Sequence, residues 1–151
     1  MSPRRRRRSL PQEPISLEIE SLSHEGRGVA RIDGKVAFVD GALPGEKVLA
    51  KYVRKRGKFD ELSVIEVEQA SPDRVSSNCE YFGTCGGCSL RHVDPQAQIA
   101  FKENVLLEQL QHSANINLDQ IEILPKILSD SQRYRRKARL AVRMVAKKVG
   151  H

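Results

Sequence analysis

The dipeptide Asp33-Gly34 lies between two short apolar runs, GVARI and KVAFV. An Asp-Gly pair in this setting is a strong signal for a β-hairpin, because its two-residue turn needs positive φ. Alternation of apolar and polar residues also precedes the pair in ISLEIESL and follows it in KVLAKYV and ELSVIEVEQ. Residues 15–70 are therefore predicted to form five short strands, which close most compactly as a small barrel of the OB type.

The periodicity changes after a loop-rich segment at residues 71–94. Asp94 can cap a helix that begins at Pro95, and apolar residues follow near helical spacing, which predicts one helix of about 17 residues. The connector beyond it has room for a short strand at IEIL, residues 121–124. The later run YRRKARLAVRMVAKK predicts a strand with a basic face. This strand has no visible partner, which suggests that the sequence is cut inside a larger domain.

Positive charge is concentrated at the two ends of the sequence. The net charge is +7, and residues 4–8 contribute five arginines, while residues 129–148 hold eight Lys or Arg against one Asp. This asymmetry favours a polyanionic partner over a solvated basic surface. Residues 1–14 are basic and then rich in proline, so they are predicted to be a disordered arm whose arginines contact phosphate.

A further basic group lies in RKRGKFD, between the last two predicted strands. Small barrels often bind oligonucleotides on an exposed face and its loops, so a loop tip with these side chains is a candidate RNA contact. The alternative is a hairpin tip that is only solvated. The predicted RNA-binding residues, here and in the C-terminal block, are Arg54, Lys55, Arg56, Lys58, Arg133, Arg135, Arg136, Lys137 and Arg139.

The three cysteines of the sequence, Cys79, Cys85 and Cys88, fall within ten residues. An odd number in one cluster does not fit a secreted disulfide scaffold, and close thiols in a reducing compartment more often bind metal or do redox work. Gly86 and Gly87 allow a tight curl in which two thiolates face one centre. Three interpretations compete on spacing alone: an iron–sulfur cluster, which normally takes four thiolates, a structural zinc site completed by His92, and a loop that only contains a few buried thiols.

The sequence carries no signal for a membrane. No apolar run approaches the roughly 18 residues that a membrane-spanning helix needs. The basic N-terminus lacks the apolar stretch of a secretory signal. A cytoplasmic location without membrane contact is therefore expected.

Several segments resemble a known family of RNA-modifying enzymes. GRGVARIDGKVAFVDGALPGEKV is similar to the core of a TRAM domain, a small OB-like barrel found on such proteins. CEYFGTCGGCSLRH and YRRKARL follow in the order and at the spacing of the bacterial uracil-C5 methyltransferases of 23S rRNA. The resemblance covers residues 15–146.

The resemblance implies that Cys79, Cys85 and Cys88 are three ligands of a [4Fe-4S] cluster, whose fourth ligand is a cysteine beyond residue 151. It gives His92 no ligand role. It also implies that residues 134–139 begin a central domain whose basic side chains face the RNA. The catalytic domain, with its S-adenosyl-L-methionine site and its cysteine nucleophile, would lie downstream. No catalytic residue and no residue that binds this cofactor is therefore expected in the chain.

The sequence is interpreted as the N-terminal part of a 23S rRNA uracil-C5 methyltransferase, which forms 5-methyluridine and acts as a monomer. Its predicted parts are a disordered arm at 1–14, a TRAM barrel at 15–70, an iron–sulfur segment at 71–94 and an incomplete α/β central domain from 95–151. One alternative is a stand-alone zinc-stabilised RNA-binding module without catalysis. Another is a purely structural protein associated with the ribosome.

Overall fold

The structure, a computed structural model, describes residues 10–130 and 134–139. It contains a β-sheet followed by one α-helix and a short 3-10 turn. Residues 1–9 of the predicted arm lie outside the described residues, and residues 10–14 precede the first strand. The elements in chain order are β1 (Ile15–Glu18), β2 (Ser21–Leu22), β3 (Gly28–Ile32), β4 (Lys35–Asp40), β5 (Lys47–Lys55), β6 (Phe59–Gln69), α1 (Pro95–His112) and the 3-10 turn (Leu118–Gln120).

The sheet has six strands in the order β1-β5-β6-β4-β3-β2. All neighbours pair antiparallel except β4 and β6, which are parallel. Five strands were predicted, and the sixth arises because the first predicted strand bends at Ile19 and Glu20. The Ile19 amide donates to the Glu46 carbonyl at 2.9 Å, and the Glu20 amide donates to the Val29 carbonyl at 2.8 Å. One bent segment thus supplies both end strands of an OB-like sheet, and these two end strands, β1 and β2, do not pair with each other.

The core of the sheet is small and rich in alanine. Every second residue of the central strands points inward, as the alternation predicted: Ala37 and Val39 on β4 are fully buried, with Val48 and Ala50 on β5. Small side chains leave room for a tightly curled sheet around a narrow interior. The buried cluster comprises Ile19, Ala30, Ala37, Val39, Ala42, Val48, Ala50 and Leu62.

The hairpin between β3 and β4 turns at the predicted dipeptide. Asp33 has φ of 50° and Gly34 has φ of 79°, so both turn residues occupy the left-handed region. This is the geometry in which a two-residue turn matches the twist of the flanking strands. The hairpin prediction is confirmed.

The hairpin between β5 and β6 has a shorter tip than the sequence predicted. β5 continues to Lys55 and β6 begins at Phe59, so only residues 56–58 connect them. Arg54 and Lys55, which were expected in the loop, lie on β5. The pairing of β5 with β6 extends this far because Arg54 lies opposite Glu61 and Lys55 lies opposite Asp60.

The predicted helix is present, and its start is capped as expected. The Asp94 carboxylate accepts hydrogen bonds from the Gln96 amide at 2.9 Å and the Ala97 amide at 3.2 Å. The predicted strand at 121–124 is wrong, because these residues are irregular and the described sheet is built from earlier segments. Residues 134–139 also form no strand, and the rest of the predicted basic strand lies outside the described residues.

The chain divides into two compact units, Met1–Leu118 and Asp119–His151. The first contains the sheet, the cysteine segment and α1. Among the described residues, no helix has the length and apolar character needed to cross a membrane.

Candidate nucleic-acid interface and cysteine segment

The cysteine segment is a loop whose two ends are tied to each other. Arg74 and Val93 form an isolated antiparallel bridge. Beside it, the Val75 amide donates to the His92 carbonyl at 2.9 Å, and the Asp94 amide donates to the Asp73 carbonyl at 2.8 Å. All three cysteines lie between these tied ends.

A buried ion pair joins the base of this loop to the sheet. The Glu46 side chain is fully buried, and it accepts hydrogen bonds from Arg74 Nε at 2.5 Å and Arg74 Nη2 at 2.8 Å. The amides of Leu43 and Ser71 donate to the same carboxylate at 2.8 and 3.2 Å. Arg74 Nη2 also reaches the Gly41 carbonyl at 2.6 Å. The carboxylate therefore holds the turn before β5, the end of β6 and the cysteine loop together.

The hydrogen bonds at Glu46 decide its charge. Burial alone would raise the pKa of this carboxyl, but the hydrogen bonds from Arg74 and from two backbone amides outweigh burial and lower the pKa below the ordinary 4.5. Glu46 is therefore ionised at neutral pH. Sequence reasoning missed this role of Glu46, because the partner Arg74 lies 28 residues away.

The three cysteines are free thiols, with Cys79 half-buried and both Cys85 and Cys88 exposed. The chain between them is tightly turned: the Cys85 amide donates to the Tyr81 carbonyl at 2.9 Å, and Gly86 has φ of 68°. A Cβ at Gly87 would lie 3.4 Å from Cys85 Sγ, so this glycine leaves space beside that sulfur.

The chemistry of the three side chains suits an iron–sulfur cluster, because such clusters are held by cysteine thiolates. The three thiols are not assembled as a ligand set, because no group of three His, Cys, Asp or Glu side chains in the described part of the chain could hold a metal ion.

His92 is buried beneath the cysteine loop with 4% of its surface exposed. Its ring centroid lies 5.2 Å from that of Phe82, and neither ring nitrogen has a hydrogen-bond partner among the described residues. Burial lowers the pKa of His92 below 6.5, and the positive charge of Arg74 lowers it further. The imidazole is therefore neutral at neutral pH and packs against an aromatic ring.

A cleft of about 680 Å³ separates the sheet from the cysteine loop. Arg27 and Asp40 line it from the sheet side, and Phe82, Cys88 and His92 line it from the loop side. Gly26 also approaches the loop closely, since a Cβ there would come within 2.9 Å of Leu90 Cδ2. The sheet and the cysteine loop thus share one concave surface.

The predicted RNA-binding residues fall into two groups, one in each compact unit. Arg54 and Arg56 lie beside Glu61, at 3.6 and 3.3 Å, and Lys55 Nζ lies over the Tyr52 ring at 4.6 Å. Lys58 is exposed at the hairpin tip. In the second unit, Arg133 lies outside the described residues. The remaining members, all exposed, are Arg135, Arg136, Lys137 and Arg139.

An aromatic array on the outer face of the sheet was missed by sequence reasoning. Phe38 and Phe59 meet edge to face, with ring centroids 5.4 Å apart and planes at 78°. The Arg27 guanidinium lies over Phe38 at 5.1 Å, and the Arg56 guanidinium lies over Phe59 at 5.5 Å. We call these four side chains the Arg–Phe ladder. Phe38 lies between the buried residues Ala37 and Val39 on β4, so its ring faces away from the core.

Comparison with known families identifies the sheet. Residues 12–52 match the family model of the TRAM domain. The chain carries a TRAM domain. The match covers β1 to β4 and most of β5, whereas the TRAM sheet itself continues through β6 to Gln69. This confirms the OB-like fold that the sequence predicted.

Beyond the TRAM domain, nearly the whole chain is similar to curated proteins named "23S rRNA (uracil(1939)-C(5))-methyltransferase RlmD". The protein of Hahella chejuensis is 52% identical over 144 residues, which are 95% of this chain and 32% of that protein. The protein of Alkalilimnicola ehrlichii is 46% identical over 97% of this chain, and that of Methylococcus capsulatus is 44% identical over 98%. The chain spans about a third of the length of these relatives and matches their N-terminal part. The resemblance found from the sequence is confirmed.

Proposed function

We propose that the chain is the RNA-binding N-terminal part of a 23S rRNA uracil-C5 methyltransferase. The observation that carries this proposal is the 44–52% identity, over nearly the whole chain, to the N-terminal third of proteins with that name. The TRAM domain supports it, because small OB-like barrels bind nucleic acid on an exposed face and its loops. The activity would belong to a longer protein that acts as a cytoplasmic monomer.

The methyl transfer itself would take place outside these residues. When bound to the longer protein, S-adenosyl-L-methionine would supply the methyl group for C5 of uracil. The nucleophile, the base and the cofactor site would all come from the downstream catalytic domain. The role of this chain would be to bind 23S rRNA through its basic residues and to hold the target near that domain. The three cysteines of this chain are not candidates for the nucleophile.

We also propose that Cys79, Cys85 and Cys88 provide three ligands of a [4Fe-4S] cluster, with a fourth cysteine from the downstream part. Three thiols in one tightly turned loop support this, as does the space that Gly87 leaves beside the Cys85 sulfur. A cluster with ligands from two parts of the chain would staple the cysteine loop to the next domain. Its role would be structural, since uracil methylation moves no net electrons through the protein.

A zinc-stabilised RNA-binding module without catalysis is the second candidate. It would use the three cysteines together with His92, whose buried nitrogens have no partner among the described residues. The packing of the His92 ring against Phe82 is the simpler account of this histidine.

Metal analysis of the longer protein separates these two candidates. We expect protein purified without oxygen to be brown and to contain about four irons per chain, as a cubane requires. His92→Ala is the matched variant and should retain that iron. Stoichiometric zinc without iron or sulfide, lost in His92→Ala, would contradict the cluster. Methylation of a 23S rRNA fragment with labelled S-adenosyl-L-methionine tests the activity independently, and no product at any protein concentration would contradict it.

A further inference from the structure

The Arg–Phe ladder extends over the outer face of the TRAM sheet, from the residue before β3 to the tip of the β5–β6 hairpin. Arg27 precedes β3, Phe38 is on β4, Phe59 begins β6, and Arg56 is at the tip of the β5–β6 hairpin. Phe38 alternates with buried Ala37 and Val39, so its ring points outward. The parallel register of β4 and β6 brings the two phenylalanines together.

Both guanidinium groups of the ladder are held in place from two directions. A phenyl ring lies beneath each of them, and carboxylates lie at their edges: Arg27 bonds Glu25 and has Asp40 at 3.9 Å, while Arg56 has Glu61 at 3.3 Å. The arginine side chains still keep 29% and 46% of their surface exposed. Each guanidinium therefore has a ring on one face and a carboxylate at its edge, and it remains accessible from solvent.

These two properties are those of a stacking surface. Unpaired bases stack on aromatic rings and on arginine planes, and the contact tolerates every base because each has a π-face. A guanidinium already in contact with a ring and a carboxylate has less conformational entropy to lose when a base is added than a solvated one. The carboxylates also offset the arginine charges, so the ladder can contribute through stacking with little net attraction for phosphate.

We propose that the Arg–Phe ladder is a platform on which unpaired bases of single-stranded RNA stack. This rests on the RNA-binding role proposed above and names the surface and the contact that perform it. The RNA would run from the hairpin tip, where Lys58 can contact phosphate, toward Arg27, which also lines the cleft beside the cysteine loop. An unpaired strand led along the ladder would arrive at that cleft.

Two variants that conserve charge test stacking without disturbing phosphate contacts. Phe59→Leu removes a ring but keeps an apolar side chain, and Arg56→Lys removes a guanidinium plane at an exposed position. The matched control is Arg31→Lys, on β3, whose Nε lies 3.6 Å from Glu20. The probe is a 12-nucleotide single-stranded RNA of mixed sequence, titrated by fluorescence anisotropy at several salt concentrations and compared with the same sequence as a duplex.

We expect Phe59→Leu and Arg56→Lys each to raise the Kd for the single strand by about five-fold or more, since one stacked base contributes roughly 1–3 kcal/mol. The dependence of log K on log salt should not change, because no charge is lost. Arg31→Lys should bind like the wild type, and duplex binding should be unaffected in all variants. Thermal unfolding checks the fold, and Arg56→Lys keeps the test valid even if Phe59→Leu is unstable.

Wild-type affinity in both ladder variants would overturn the platform while leaving the proposed RNA binding intact. Equal losses on the single strand and the duplex would show that the surface does not select unpaired bases. If the wild-type chain binds no RNA even at low salt, the proposed function itself fails, which is a distinct result.

Discussion

At the scale of single residues, Glu46 connects three separate segments of the chain. Its carboxylate is the meeting point of a turn, a strand end and the cysteine loop, and Arg74 is its charged partner. Removing one partner of a buried ion pair is costly because the other charge stays desolvated. The stability of the loop base therefore depends on one carboxylate that remains ionised.

Glu46→Gln should lower the free energy of unfolding at pH 7 by about 3 kcal/mol, the low end of the range for broken buried pairs, because Arg74 keeps 24% of its side chain exposed. The pKa of Glu46 is lowered in the folded protein, so the stabilisation is complete above 4.5 and disappears as the pH falls through the lowered pKa. The gap between wild type and variant should thus narrow below pH 4.5. Urea unfolding from pH 3 to 7 measures it.

The control for this experiment is Glu66→Gln, on an exposed position of β6. It should unfold within about 0.5 kcal/mol of the wild type at every pH, as surface substitutions usually do. A gap for Glu46→Gln that stays constant down to pH 3 would mean that folding does not lower the pKa of Glu46.

At the scale of elements, the two hairpins of the sheet allow a direct comparison between two glycines, Gly34 in one turn and Gly57 in the other. Gly34 has φ of 79°, and no atom lies within 4 Å of the place that a Cβ would occupy, so a side chain there would be strained by its backbone and not by its neighbours. Gly57, in the other hairpin, has equally open surroundings and no positive φ. The two sites therefore differ in backbone conformation alone.

Gly34→Val should lower the free energy of unfolding by about 1–2 kcal/mol, the usual cost of the left-handed region for a residue with a Cβ. Gly57→Val should change it little. Denaturant unfolding of the two variants in parallel checks this. Equal stability of the two would contradict the turn geometry given by Asp33 and Gly34.

Elements that depend on local pattern were predictable, and those that depend on distant partners were not. The alternation at Ala37 and Val39 and the cap at Asp94 act within a few residues, so the strands, the hairpin and the helix followed from the sequence. The bend at Ile19 and Glu20 arises from pairing with two different strands, and no local signal marks it. The segment at 121–124 has the composition of a strand but no place in the described sheet.

The same distinction holds for the candidate site. Spacing in the sequence was enough to single out the cysteines and the basic residues. The Arg–Phe ladder was not visible, because Phe38 and Phe59 become neighbours only through the parallel pairing of β4 and β6. Likewise, the burial of His92 follows from the closure of the loop base, which joins residues far apart in the chain.

At the scale of the whole molecule, the arginines at residues 4–8 should strengthen RNA binding in a way that depends steeply on salt. Deleting residues 1–9 should reduce the slope of log K against log salt by up to about 3–4 units on a single strand, at roughly 0.7 per phosphate contact. Replacing the five arginines with glutamine should give the same change, because charge and not chain length is responsible. Filter binding from 50 to 300 mM salt, roughly the range in which such slopes are measured, provides the data.

An unchanged slope in both arm variants would contradict phosphate contact by the arm. A change in the deletion alone would assign the effect to chain length. The Arg–Phe ladder predicts the opposite behaviour, a loss of affinity at constant slope, so the two contributions can be separated in one set of titrations.

The parallel pairing of β4 with β6 also determines how late in translation the Arg–Phe ladder can form. Its two rings come from β4 and β6, and β5 lies between these strands in the sequence. The two strands can therefore pair only after both β5 and β6 have left the ribosome. At about 5–20 residues per second, the interval between translating Phe38 and the end of β6 lasts roughly 2–6 seconds. During it, the nascent chain has no assembled Arg–Phe ladder, so the base stacking proposed for this surface must wait until β6 has paired with β4.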